Sequence, residues 1–159
     1  MRYPAMRPVL WVKWISEPPF QPVTAWTARQ KAGIKYEKRI QERLLDHYGP
    51  DKFFPSQWFS FSCGDRVQYA QPDGLLLLEE RKLLVLEIKY SHTPGAYWQL
   101  LNCYLPVLKV FFRGNIELIP VEICKWYDPA TVFPSAVRMV EGLESARSSS
   151  FNVHILNRW

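Results

Sequence analysis

Two carboxylates and an amine stand where an apolar chain has no structural use for them. Leu83-Leu84-Val85-Leu86 runs into Glu87-Ile88-Lys89, and Pro72-Asp73-Gly74 lies one apolar run upstream. Charges at the end of a buried-looking strand need partners or a task, because desolvating them is costly. Side chains alternate along a strand, so Glu87 and Lys89 share a face with Val85, about 7 Å apart. Leu84, Leu86 and Ile88 share the other face. Such a set suits phosphoryl chemistry. A hard divalent cation such as Mg2+ takes oxygen ligands, commonly one or two carboxylates plus waters and substrate phosphate. Asp73 and Glu87 supply the charge, and the Ile88 carbonyl adds a neutral oxygen. Lys89 can orient an attacking water and offset charge growing on a phosphorane.

Whether Asp73 joins them depends on a turn. Glu80-Arg81-Lys82 separates Leu75–Glu79 from Leu83–Lys89, and the two runs read as an antiparallel hairpin. A three-residue loop sets Asp73 opposite Lys89, on the Glu87 face. A two-residue loop, Glu80-Arg81, sets it opposite Ile88, on the wrong face. The site therefore requires an odd-length turn, a bulge, or a loosened strand start at Pro72.

A third acid lies on a helix. From Thr27 to Tyr48, Gln30, Gly33, Ile34, Glu37, Ile40, Gln41, Leu44, Leu45 and Tyr48 fall on one stripe at three- and four-residue steps. Gly49-Pro50 ends the pattern. Glu37 sits in the middle of that inward face and joins the site if the helix packs on this end of the sheet. Lys31, Lys35, Lys38, Arg39 and Arg43 lie off the stripe, on the solvated side.

The remaining elements frame this centre. Val9–Ile15 reads as a short edge strand in a Pro-rich, aromatic arm over residues 1–25; the arm either straps apolar surface or stacks on bases. Gln57–Cys63 and Arg66–Gln71 read as strands. Apolar spacing from Tyr97 to Phe112 predicts a second helix that Pro106 kinks or breaks. Ile116–Cys124 is a strand, Trp126-Tyr127-Asp128-Pro129 a turn, Pro134 to Ala146 a helix, Ser148-Ser149-Ser150 a loop, and Phe151–Leu156 an edge strand. His47, His92 and His154 have no ligand spacing, although His92 follows Lys89 closely enough to touch a phosphate.

Each charged member also has a plain reading. Glu87 and Lys89 make a same-face ion pair at a strand end, Asp73 belongs to a Pro-Asp-Gly turn, and Glu37 pairs with a helix lysine. Taken together, four positions in this order and spacing favour chemistry.

On these residues the chain resembles the PD-(D/E)xK nuclease superfamily. The matching pieces are Gly33-x-x-x-Glu37, Pro72-Asp73 and Glu87-Ile88-Lys89, with 14 residues from Asp73 to Glu87. The resemblance covers residues 27–124. It implies an α/β fold: a single restriction-endonuclease-like domain over residues 26–159, with an αβββαβ core and a mixed central sheet flanked by helices. By the same resemblance Asp73 and Glu87 bind Mg2+, with Mn2+ as substitute and the Ile88 carbonyl and Glu37 beside them. Lys89 is the catalytic lysine and Glu37 the helix acid. Gln99 looks like the glutamine of the Q-x-x-x-Y motif of the exonuclease branch, but Tyr104 stands five residues on and Cys103 takes the fourth place. The implied activity is a metal-dependent deoxyribonuclease with DNA as partner, similar in its compact form to phage nucleases. Endo- and exonucleolytic action both remain open, as does assembly into dimers or toroids. The alternative is a nuclease-like fold acting only as a DNA-binding or assembly module.

Composition agrees with these expectations. A chain of 159 residues with 48% hydrophobic residues, including 7 Trp, 8 Tyr and 9 Phe, can bury the core of one domain. Lys and Arg outnumber Asp and Glu by 20 to 15, a balance that favours a polyanionic partner. Cys63, Cys103 and Cys124 lack paired spacing, which argues against a disulfide frame, a zinc site or an iron–sulfur cluster. No apolar run approaches the roughly 20 residues of a membrane span, and Lys13 interrupts the short apolar run near the N-terminus. A cytoplasmic protein without membrane attachment is expected.

Overall fold

The structure, a computed structural model, describes residues 8–127, 137–146 and 153–157. In chain order its elements are β1 (Val9–Ile15), α1 (Ala28–Tyr48), β2 (Phe53–Pro55), β3 (Trp58–Cys63), β4 (Arg66–Ala70), β5 (Gly74–Glu79) and β6 (Lys82–Ser91). There follow α2 (Pro94–Gln99), a π-helical turn (Leu100–Tyr104), α3 (Leu105–Phe111) and β7 (Glu117–Trp126). The last are β8 (Val137–Met139), a 3-10 turn (Leu143–Ser145) and β9 (Val153–Asn157).

Local chemistry sets the limits of α1. The Thr27 hydroxyl accepts from the Gln30 N–H at 3.2 Å while the Gln30 side chain accepts from the Thr27 N–H at 2.9 Å, a reciprocal cap. At the other end Gly49 takes a φ of 85°, which glycine adopts without strain. Ile40 and Leu44 face the core as expected, and Lys31, Lys35, Lys38, Arg39 and Arg43 are all exposed. The buried stripe is rotated from the expected one. Tyr36 is only 2% exposed, its ring edge-on to Tyr90 at 5.8 Å, whereas Leu45 is 37% exposed and Gln30 serves the cap.

The main sheet among the described residues has six strands in the order β2-β5-β6-β7-β9-β8. It is mixed: β2, β5 and β6 pair antiparallel, while β6/β7, β7/β9 and β8/β9 are parallel. The Leu- and Val-rich run of β6 is buried on both faces, as a central strand with a parallel neighbour requires. On one face α1 packs Tyr36, Ile40 and Leu44 against Leu84, Leu86, Ile88 and Ile123. On the other, Leu75, Leu83 and Val85 meet Leu100, Tyr104 and Leu108 from the α2–α3 segment, together with Phe59 and Phe61. The two phenylalanines come from a separate antiparallel sheet, β1-β3-β4. The result is a layered α/β arrangement with a core on each side of the main sheet.

Three expectations need correction. Residues 137–146 form no α-helix. The β8 backbone instead pairs with β9, and the Val140 N–H donates to the Ile155 carbonyl at 2.9 Å; Gly142 then breaks the chain before the 3-10 turn. The last strand is not at an edge, because β9 lies between β7 and β8. Finally, β2 was not expected: three residues are too few to show a period, yet Phe53 is fully buried. Residues 1–7, Asp128-Pro129, Pro134, the Ser148–Ser150 loop and Phe151 lie outside the described residues. None of the three cysteines is disulfide-bonded, and no helix among the described residues is long and apolar enough to cross a membrane.

Candidate active site

The hairpin resolves the register question with a bulge. Glu79 pairs with Lys82, so the turn is the two-residue Glu80-Arg81, the length that alone would turn Asp73 away. Leu77, however, pairs with Leu83, which leaves Leu78 as an extra residue on β5. From there Gly74 meets Leu86, and the same register carried one residue further sets Asp73 on the side of Glu87, whose charge acts on it. Glu87 and Lys89 already share that face. The Pro-Asp-Gly segment is therefore no tight hairpin turn: Pro72 and Asp73 lead into β5, which starts at Gly74. Gly74 is required there, because a Cβ would come within 2.6 Å of the Phe53 ring.

Asp73 is fixed at both ends. Its N–H donates to the Leu86 carbonyl at 3.1 Å, and its Oδ2 accepts from the Ile88 N–H at 2.7 Å. The two-residue repeat of the ladder turns the Ile88 carbonyl to that same edge, beyond the end of β5. On Glu87, Oε1 accepts the Lys89 Nζ at 2.6 Å, and the carboxylate is 1% exposed. The ion pair of the plain reading is thus real, but it is buried on the Glu87 side rather than lying on a solvated surface.

Glu37 is tied in through a residue the sequence placed only on the helix stripe. Gln41, one turn on, directs its Nε2 to the Glu37 Oε1 (3.4 Å), the Ser56 Oγ (2.9 Å) and the Asp73 carbonyl (2.8 Å). Ser56 takes a left-handed φ of 51°, strain of the kind that persists only where neighbours hold it. Those neighbours are the Asp73 carbonyl, which accepts the Ser56 N–H at 3.2 Å, and Gln71, whose Nε2 donates to the Ser56 carbonyl at 3.2 Å.

The acids repel. Burial pushes Asp73 well above the ordinary carboxylate value, and Glu87 and Glu37 push it further, against the Ile88 N–H and Lys89. Glu37 is raised by burial and then by Glu87. Glu87 is raised by burial and by Glu122, with Lys89 and the Tyr104 hydroxyl acting the other way. Burial works against the Lys89 charge, but Glu87, Asp73 and Glu37 outweigh it and hold the ammonium above its usual value. A concentrated negative charge carried by one lysine is the electrostatic signature of the cluster.

The five-residue spacing from Gln99 to Tyr104 falls on a π turn. The Leu105 N–H bonds to the Leu100 carbonyl, five residues back, and the π turn so formed spans Leu100–Tyr104. One such turn takes five residues where an α-helix needs four. It therefore absorbs the extra residue and brings Tyr104 round toward the side that a Gln-x-x-x-Tyr pair would share. The buried Tyr104 hydroxyl donates to the Gln71 carbonyl at 3.0 Å, just ahead of Pro72-Asp73. Pro106 fits at the head of α3, where its missing N–H costs little. Gln99 is half-buried at the end of α2 and makes no side-chain hydrogen bond to the acids among the described residues.

Glu122 is the acid that the sequence reading missed. It is the register partner of Glu87 on parallel β7 and shares its face. It is fully buried, with His92 Nδ1 at 2.5 Å from its Oε2. Val121-Glu122-Ile123 repeats the pattern of Leu86-Glu87-Ile88, a signal visible in the sequence. His92 is thus a buried partner for a buried acid.

Among the described residues no three His, Cys, Asp or Glu side chains converge closely enough to make a ready-made metal cage. A Mg2+ site does not need one, since backbone oxygens, waters and substrate complete its shell. The donor set fits such an ion: Glu87 Oε2 is buried without a hydrogen-bond partner among the described residues, and its neighbours are mutually repelling carboxylates. The chain matches no known family model, no curated protein and no solved structure.

Proposed function

We propose that this chain is a Mg2+-dependent nuclease of the PD-(D/E)xK kind, built on a restriction-endonuclease-like fold and hydrolysing DNA phosphodiester bonds. The observation that carries this reading is the Leu78 bulge, which sets Asp73 on the side of Glu87 and Lys89, beside a buried oxygen of Glu87 that has no hydrogen-bond partner among the described residues. Asp73, Glu87 and the Ile88 carbonyl would hold the ion, with Glu37 beside them through Gln41. When bound, Mg2+ supplies Lewis acidity to the scissile phosphate. Lys89 orients the attacking water and offsets charge developing on the phosphate oxygens. Gln41 and Ser56 keep Asp73 in place, which preserves alignment that catalysis by positioning needs. The exposed cations of α1 and the net charge of +5 support a polyanionic substrate.

A second reading, a catalytically silent DNA-binding or assembly module, draws on the lack of a ready-made cage among the described residues. One experiment separates them: wild type and Asp73→Asn incubated with Mg2+ or Mn2+ and end-labelled linear, circular and branched DNA. Metal-dependent cutting that the substitution abolishes is the expected result, and cleavage of closed circles identifies an endonuclease. DNA binding without cutting of any substrate establishes the module instead.

A further inference from the structure

The small β1-β3-β4 sheet has an outer face that nothing in the catalytic cluster uses. Phe59, Phe61 and Ala70 turn into the core, so Trp58, Ser60 and Ser62 on β3 and Val67 and Tyr69 on β4 point the other way. Phe20, after β1, lies across this face, edge-on to Trp58 at 6.0 Å and to Tyr69 at 5.3 Å. These rings are not core residues: Phe20 is 61% and Tyr69 41% exposed. Beside them opens a cavity of about 550 Å3 with Ser60 and Tyr69 in its lining. Ser62 Oγ, buried on the same side, has no hydrogen-bond partner among the described residues. Exposed rings, small hydroxyl side chains and open volume together suit a flat, polar-edged aromatic ligand.

The location names the ligand. Tyr69 is four residues from Asp73, at most about 14 Å along an extended chain. Trp58 is two residues from Ser56, whose N–H bonds the Asp73 carbonyl. At about 3.4 Å of axial rise per nucleotide, this reach is no more than about four steps of one strand from the scissile phosphate. Charge contributes little, since Lys13 faces Ser60 across the sheet while Glu17 adds a carboxylate to the cavity. Recognition here works by stacking, which accepts any base but requires it to be unpaired.

Resting on the nuclease reading for the scissile position, we propose that Phe20, Trp58 and Tyr69 form a stacking subsite for an unpaired nucleobase next to the bond that is cut. The substrate is then a single strand or a frayed or branched end rather than a closed duplex.

The test is binding in EDTA, where no metal supports cutting, so it stands or falls separately from the nuclease assay. Fluorescein-labelled oligothymidylate and a blunt duplex of equal length are titrated with wild type, Phe20→Ala, Tyr69→Ala and Tyr69→Phe. Both alanine variants are expected to weaken the single strand by roughly tenfold and the duplex by less than about twofold. Tyr69→Phe should restore binding. Quenching of tryptophan fluorescence by unlabelled oligothymidylate in the wild-type protein provides a readout that needs no variant. Equal weakening of both DNAs, unchanged binding in the alanine variants, or no quenching would overturn the subsite, even if Asp73-dependent cutting is found. Loss of stacking selectivity in the variants sustains it, even if no cutting is found.

Discussion

Asp73 stands beside Glu87 at the start of the β5–β6 hairpin, where burial first and then the Glu87 charge disfavour the Asp73 carboxylate, and burial likewise disfavours the charge of Glu87. Folding thus raises the pKa of both, so their contribution to stability is present below the ordinary carboxylate range and is lost as pH rises through the raised values. Metal-free protein should therefore melt higher at mildly acidic pH than at neutral pH. Asp73→Asn keeps an oxygen to accept the Ile88 N–H while removing one repelling charge. It should stabilise the metal-free protein at neutral pH by roughly 0.5–2 kcal/mol, or a few degrees in Tm at about 2–4 °C per kcal/mol. The same variant should lose the upward Tm shift that Mg2+ or Mn2+ gives the wild type. Thermal melts across pH, with and without metal, check both signs. A destabilised Asp73→Asn would mean that the carboxylate serves the fold alone.

Lys89 has a double role that one substitution separates. Removing it by Lys89→Ala strips the cation held at 2.6 Å from the Glu87 carboxylate, which is 1% exposed. Leaving such a buried acceptor short of its partner costs about 1–3 kcal/mol, read as a lower urea midpoint. Cleavage should fall by at least about a hundredfold, the scale of one lost electrostatic stabiliser, while DNA binding stays within a few-fold. Equal losses in binding and cleavage would make Lys89 a phosphate clamp.

The hairpin, its face alternation and α1 were legible in the sequence because apolar residues recur there at fixed periods. Even the need for an odd-length turn, a bulge or a loosened strand start could be stated beforehand, but not which of them occurs, since Leu78 sits in a leucine run that offers several places for one extra residue. Tyr36 lies four residues before Ile40 and eight before Leu44, so the helical period admits it; its edge-on contact with Tyr90, 54 positions on, is the part that no period reveals. Glu122 escaped because its partner, Glu87, is adjacent only once β7 pairs in parallel after the α2–α3 crossover. Gln41 was placed correctly on its stripe, but its work depends on Ser56 and Asp73, which other segments bring to it. Local periods specified the elements; the site's supporting contacts are long-range.

The solvent face of α1 should show in salt dependence. Lys31, Lys35, Lys38 and Arg39 are all exposed on the helix that carries Glu37 on its other side. Each cation in contact with a phosphate contributes a slope of about 0.7 for single strands and 0.9 for duplex in a plot of log affinity against log salt. Replacing Lys35 and Lys38 together by Gln should lower the slope by about 1 to 2 and leave thermal stability unchanged. Anisotropy titrations over a range of salt concentrations measure it. An unchanged slope would remove this face from the DNA contact.

The π turn at Leu100–Tyr104 behaves as a compensated insertion, and the compensation can be removed. Asn102 is exposed, and its Nδ2 donates to the nearby Trp98 carbonyl at 3.3 Å. Deleting it leaves Gln99 and Tyr104 four residues apart, so an ordinary α-helical turn delivers Tyr104 to the same side. Its hydroxyl can then still reach the Gln71 carbonyl, and unfolding free energy in urea should change by less than about 1 kcal/mol, the scale of a typical substitution. Inserting an alanine after Asn102 has the opposite consequence, because one further residue turns Tyr104 by about 100°. That displaces a buried ring from the core and should cost about 3–5 kcal/mol, as deletion of a large core aromatic does. If the deletion proves as damaging as the insertion, the π turn is itself the required geometry, and Tyr104 depends on its wider turn rather than on a restored four-residue spacing.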